Sequence, residues 1–102
     1  MAEIVYAKRA LADLERVFEF LAETDPDAAT AAVETIQHAI GILEHHPLIG
    51  RPAEYDLREL VISRGRTGYV ALYDYIEPLD TILILALRHQ REAGYADAAQ
   101  ET

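Results

Sequence analysis

The spacing of apolar residues changes character partway along this chain, and that change limits the fold more than any other feature. Through Leu43 the apolar residues fall three and four apart, the period of one helix face. From Leu57 onward they fall in short dense runs, LRELVIS, YVALYDY and TILILALRH, rich in Val, Ile, Leu and Tyr. Helices come first and a sheet follows. With 102 residues, about half of them apolar, the chain has the length of one domain and enough apolar matter for a core.

The helical half divides in two. Glu3 to Tyr6 reads as a short opening strand, and residues 8–23 as a helix with Leu11, Leu14, Val17, Phe18 and Leu21 on its apolar stripe and Asp13, Glu15, Arg16, Glu19 and Glu23 mostly outside it. The segment TDPDAA stops one helix and starts another. Asp25 can cap, Pro26 suits the first helical position, and Asp27 complements the positive N-terminal end. Ala29, Val33, Ile36, Ile40 and Leu43 then repeat at steps of 4, 3, 4 and 3, a seam suited to an antiparallel hairpin with the first helix. Pro47 ends the second helix near His45 and His46, and PLIGRP reads as a turn.

The three late runs predict strands joined by RGRTG and EPLD, both short enough for antiparallel hairpins. Within the middle run Val70, Leu72 and Ile76 share one face with Asp74, and Tyr69, Ala71, Tyr73 and Tyr75 share the other. The last run is apolar at nearly every position, which predicts burial on both faces near the sheet centre. The expected fold is α+β in two layers: an N-terminal strand, an antiparallel helical hairpin, then a three-stranded antiparallel meander, in the order β-α-α-β-β-β. Residues 1–95 form one domain. Residues 96–102 are a small polar tail, a short helical turn or frayed.

Charge narrows the function classes. The net charge is −9, from 9 basic and 18 acidic residues, so the chain as a whole repels phosphate backbones. There is no Cys, which excludes disulfides and thiol chemistry and fits a cytoplasmic protein. No run reaches the length of a membrane span, and the N-terminus has no uninterrupted apolar signal segment. The cations of the second half are all arginine: Arg51, Arg58, Arg64, Arg66, Arg88 and Arg91. Their planar forks suit carboxylate or phosphate.

Several clusters hold residue types that can form sites. His38 and His45 are two helical turns apart, roughly 10 Å, too far to share one ion; His38, His45 and His46 read as residues near a helix C-terminus, and no metal or other cofactor is expected. RGRTG lacks the spacing of a phosphate-binding loop and reads as a hairpin turn, with partner docking by Arg64 and Arg66 the other reading. Tyr69, Tyr73 and Tyr75 read as packing residues, with a base-stacking platform as the alternative. Arg58, Arg88, His89, Arg91 and Tyr95 hold the residue types that RNA cleavage through a 2′-hydroxyl needs. The even alternative is structural pairing of these arginines with Glu59, Glu77, Glu92 or a partner's carboxylates.

Four pieces in order, ADLERVFEFLAETDPDAA, HHPLIGRPAEYDLREL, GYVALYDY and TILILALRHQREAGY, resemble the RelE/ParE superfamily of bacterial type II toxins, also called plasmid stabilisation proteins. The resemblance spans about residues 5–95. It implies a compact toxin neutralised by a cognate antitoxin, whose C-terminal segment lies over the hairpin and sheet and whose DNA-binding part represses the operon. Two activities occur in the superfamily: ribosome-dependent mRNA cleavage in RelE-like members and inhibition of DNA gyrase in ParE-like members. Lys8 is the single lysine, and an acidic chain approaching ribosomal RNA meets repulsion at every phosphate. The resemblance therefore favours the gyrase branch. A ParD-like ribbon-helix-helix antitoxin is the expected partner, with no direct DNA contact and no membrane. In that branch Arg58, Arg88, His89 and Arg91 form a target-binding surface rather than a catalytic one, and an apolar groove along Leu14, Phe18, Val33 and Ile40 receives the antitoxin. If the chain is a nuclease instead, Arg58, Arg88, His89, Arg91 and Tyr95 are the catalytic set. A third possibility is an antitoxin-bound regulator that has lost toxicity.

Overall fold

A computed structural model describes residues 1–62 and 68–89. Arg64, Arg66, Arg91, Glu92, Tyr95 and the 96–102 tail lie outside the described residues. The chain runs β1 (Glu3–Tyr6), α1 (Lys8–Ala22), α2 (Pro26–Gly41), β2 (Arg51–Pro52), β3 (Arg58–Ile62), β4 (Tyr69–Ile76) and β5 (Thr81–His89). The strands form one five-stranded sheet in the order β1-β5-β4-β3-β2. β1 lies parallel to β5, and every other pairing is antiparallel. The expected meander is present as β3, β4 and β5. The two-residue β2 extends it; the turn reading of PLIGRP missed this strand because two residues, one a proline, carry no alternation.

The second helix begins as its residues dictate, while α1 starts after Ala7 with no side-chain cap. Asp25 caps α2 by accepting from the Ala28 N–H at 3.2 Å, with Pro26 at the first helical position. Past Gly41 the seam tightens into a 3-10 turn, Ile42–Glu44. That turn lets Leu43 reach the core even though the α-helix has ended. Ile36, Ile40 and Leu43 are fully buried there, each worth roughly 1.5–3 kcal/mol of burial. On α1 the inward stripe is Ala10, Leu14 and Val17, with Leu21 packed against it. Leu11 and Phe18, expected on that stripe, are 52% and 40% exposed. Ala10 takes the inward place because the stripe is rotated one residue from the position that counting only large side chains suggests.

Asp13 departs most sharply from expectation. Expected outside the stripe, it is only 6% exposed. Its Oδ2 accepts the Leu87 N–H of β5 at 2.8 Å, and its Oδ1 meets Arg16 at 3.3 Å. A carboxylate thus sits in the helix–sheet interface because a strand amide needs an acceptor there.

The sheet faces follow from the register. Tyr73 pairs with Arg58 and Ile84, Ala71 with Leu60 and Leu87, and Tyr69 with Ile62 and His89. Directly paired residues share a face, so these positions all look toward the helices. Ala71, Tyr73, Ile82, Ile84 and Leu87 join the buried helix side chains in one core, with Tyr69 and Tyr75 packed against it. The tyrosines are therefore packing residues, as their alternation allowed. β5 has neighbours on both edges and buries Ile82, Ile84, Ala86 and Leu87, while Leu83 and Leu85 stay half-buried.

Tyr73 also organises the loop after the helices. Its hydroxyl donates to the Pro47 carbonyl and accepts the Gly50 N–H, both at 2.9 Å. Gly50 is required for space: a Cβ there would lie 2.6 Å from the Tyr73 ring and hydroxyl and 2.9 Å from the Glu59 carbonyl oxygen. Burial pushes the Tyr73 hydroxyl above its usual titration range, partly opposed by the Gly50 N–H and the Arg58 charge.

Two predictions follow from this clamp. Tyr73→Phe should cost about 1–3 kcal/mol, because it strands the Gly50 N–H without an acceptor, and Gly50→Ala should cost at least as much, since the contact atoms include backbone; urea unfolding at neutral pH measures both. The Tyr73 proton is held more tightly when folded, so its stabilisation is complete below about pH 10 and is lost as pH rises further. Thermal unfolding across that range should show a fall in midpoint that is shallower in Tyr73→Phe.

Candidate functional site

Among the described residues of the predicted set, Arg58, Arg88 and His89 do not form one cluster. In β5 the pairing with β4 skips a residue: Leu72 faces Ala86 and Tyr73 faces Ile84, leaving Leu85 unmatched. This is a bulge, two residues against one. It shifts the alternation so that Leu87 and His89 look toward the helices, while Ala86 and Arg88 look away. Arg88 pairs with Val70 on that second face.

Arg88 meets Glu59 there, with Nη2 to Oε2 at 3.9 Å, and both side chains are about 15% exposed (15% and 16%). Glu59 also accepts from Arg51 Nε at 3.1 Å. One carboxylate on β3 thus bridges the guanidinium groups of β2 and β5. Arg51 is exposed and its pairing is screened, worth at most about 1 kcal/mol. The Arg88 pairing is more sheltered.

Arg58 belongs to a different place. Sequence reading allowed it a shared face with Arg88, but the register sets it opposite Tyr73, on the helix side. Its Nη1 donates to the Gly50 carbonyl at 2.8 Å and the Leu48 carbonyl at 3.2 Å. Arg58 therefore clamps the loop that Tyr73 also holds, and the expected shared face with Arg88 is not formed. A one-residue change of parity between neighbouring strands caused the difference.

His89 packs edge-on against Tyr69, with ring centroids 5.4 Å apart and planes at 83°. It lies on the helix side, four positions along β4 from the level of Arg58, roughly 13 Å. Burial pushes the Tyr69 hydroxyl upward. Arg91 and Tyr95 fall outside the described residues. Among the described residues no three His, Cys, Asp or Glu side chains are placed to hold a metal ion, and no helix is long and apolar enough to cross a membrane.

The residues expected to line an antitoxin groove lie mostly inside the hairpin. Leu14 and Ile40 are buried, and Val33 is packed against the same core. These residues face the sheet, since the seam that predicts the hairpin is the hairpin's own interior. Of the four, Phe18 reaches the surface. The outer surfaces offer other apolar ground. A groove of about 490 Å³ runs between α2 and the end of β3, lined by Ala31, Glu34, Thr35, His38, Ala39, Ile42 and Ile62. On α1, Leu11, Phe18 and Phe20 are exposed.

One feature escaped sequence reading altogether. Tyr55 and Asp56 both have left-handed backbone, φ 59° and 63°, in a tight loop closed by Ala53 N–H to the Leu57 carbonyl at 2.8 Å. Asp tolerates this conformation, but Tyr rarely adopts it. Tyr55 is 88% exposed. With no glycine in EYD, no sequence signal marked the turn.

Comparison with known proteins accounts for this architecture. The family model for the ParE toxin of type II toxin–antitoxin systems (parDE) matches residues 4–94. A Caulobacter vibrioides protein named Toxin RelE3 is 33% identical over 92 residues, covering 90% of this chain and 98% of that one. Toxin RelE2 of the same organism is 34% identical over 89 residues, covering 87% and 96%. Among solved structures, the chromosomal ParDE system from P. aeruginosa superposes with a TM-score of 0.75 at 24% identity, covering 87% of this chain and 96% of that chain. The intact E. coli RelBE complex gives 0.61 at 13%, covering 90% and 100%, and RelBE2 from Mycobacterium tuberculosis gives 0.55 at 27%, covering 87% and 98%. The strand, helical hairpin and mixed sheet described above are the fold of these toxins, and this chain belongs to the ParE toxin family of the RelE/ParE superfamily, the toxin components of type II toxin–antitoxin systems.

Proposed function

We propose that this toxin acts by docking on DNA gyrase, with Arg88 and the strand end that carries it as the contact surface. The observation that supports this most is the division of two described cations, Arg58 and Arg88, between the two sheet faces. RNA cleavage needs several cationic or proton-transferring groups converging on one phosphate. Here Arg58 holds loop carbonyls on the helix side, and Arg88 lies with Glu59 on the other. An arginine backed by a carboxylate is poorly placed to neutralise a phosphate but well placed to present a fixed fork to a protein surface. The net charge of −9 and the single lysine point the same way.

The second reading is a ribosome-dependent mRNA endonuclease, favoured by the RelE-type names of the curated relatives. Purified toxin should block supercoiling of relaxed plasmid by gyrase, and Arg88→Ala should weaken that block at least about tenfold, the size of a modest contact residue. Gyrase left fully active, together with codon-linked cuts in cellular mRNA that vanish in His89→Ala, would replace this reading with the second.

The antitoxin, on our reading a ParD-like protein, is assigned to the outer faces of the hairpin rather than its seam. The groove between α2 and β3 and the exposed Phe18 and Leu11 supply apolar contact that leaves the core intact. Ile42 is 47% exposed at the groove wall. Ile42→Asp should therefore weaken antitoxin binding by about tenfold or more, as losing one central apolar anchor does, with little change in the toxin's own unfolding midpoint; titration calorimetry and thermal unfolding together check this.

A further inference from the structure

β5 changes its surroundings halfway along. From Thr81 to Ile84 it is paired on both edges, with β1 on one side and β4 on the other. Then Ala7 donates to the Ile84 carbonyl at 2.9 Å and the chain turns away into α1. Beyond Ile84 no described strand continues on that edge, and this is also where Leu85 bulges out of the ladder. The segment that follows carries Leu87, Arg88 and His89. A bulged strand with one open edge is prone to fray or to change register.

Asp13 stands at that edge. Its carboxylate, buried under α1, accepts the Leu87 N–H at 2.8 Å, a bond between residues 74 positions apart. Arg16 steadies the other oxygen at 3.3 Å. The acceptor that β1 would have supplied comes instead from a helix side chain. Leu87 is thereby fixed with its side chain in the core, and its neighbour Arg88 is fixed on the opposite face beside Glu59.

We propose that Asp13 is a positioning residue for the toxin's contact surface: it holds the bulged end of β5 so that Arg88 is presented away from the helices. This rests on the reading that the β5 end engages the target, whichever target that is. Asp13 touches no target itself.

The test compares Asp13→Ala with Asp13→Asn, which keeps a side-chain acceptor of the same size. In Asp13→Ala, amide hydrogen exchange at Leu87, Arg88 and His89 should accelerate about tenfold or more, while Ile82 and Ile84, paired on both edges, stay protected. Induction of Asp13→Ala should lose growth arrest, and Asp13→Asn should recover most of it. Antitoxin binding, which uses the outer hairpin, should be unchanged in both. Uniform loss of protection along β5, equal loss of growth arrest in both variants, or selective exchange with undiminished growth arrest would each overturn the proposal. So would a native chain that arrests no growth. Should Asp13→Ala fail to fold, Asp13→Ser provides a smaller acceptor for the same comparison. Growth arrest does not depend on which target is hit, so a failed gyrase assay leaves this test intact.

Discussion

Where Leu85 leaves the β4–β5 ladder, one unmatched residue decides how the rest of the strand is used. A continuous run such as ILILALR could bury either set of alternate residues. The bulge lets it bury Ile82 and Ile84 on one side of the break and Leu87 on the other, all on the helix face. The same shift carries Arg88 to the far face. Without it, continuing the alternation from Ile84 would aim Arg88 at the helices, where an arginine would have to be desolvated against an apolar core. Core packing and site geometry are thus settled by the same irregularity, and Asp13 meets the amide that it leaves facing α1.

The second organising contact is the Tyr73 hydroxyl. It joins a central strand to the loop after the helices, with the Arg58 guanidinium alongside. Together they explain why a loop containing Leu48 and Ile49, both exposed, keeps a defined path over the sheet. They also explain why Arg58 is poor evidence of function. Its guanidinium is turned toward the Leu48 and Gly50 backbone carbonyls.

Much of the fold was legible because its signals are local and redundant. The Asp25–Pro26 start of α2, the seam from Ala29 to Leu43 and the opposite faces of Val70 and Tyr73 each follow from period and capping alone. The site was less legible, for a physical reason. Whether Arg58 and Arg88 share a face depends on pairing register, which nothing local to either residue encodes. Asp13 illustrates the same limit: on a helix wheel it borders the apolar stripe, and its burial makes sense only once an amide 74 residues away needs an acceptor. Leu14 and Ile40 are buried because the pattern that identifies a helical hairpin marks its inside. The groove outside is built from Ala31, Thr35, Ala39 and Ile42, too mixed in character to stand out in sequence.

The proposed docking role rests on Arg88 lying with Glu59 on the face away from Arg58, and that placement depends on which way β5 points. The most direct measurement is the set of cross-strand proton contacts between β4 and β5 in solution, read by nuclear magnetic resonance. Close contacts for Leu72 with Ala86 and for Tyr73 with Ile84, with Leu85 matched to neither, are expected. A regular ladder, with Leu72 against Leu85 and Val70 against Leu87, would return Arg88 to the helix side and contradict it.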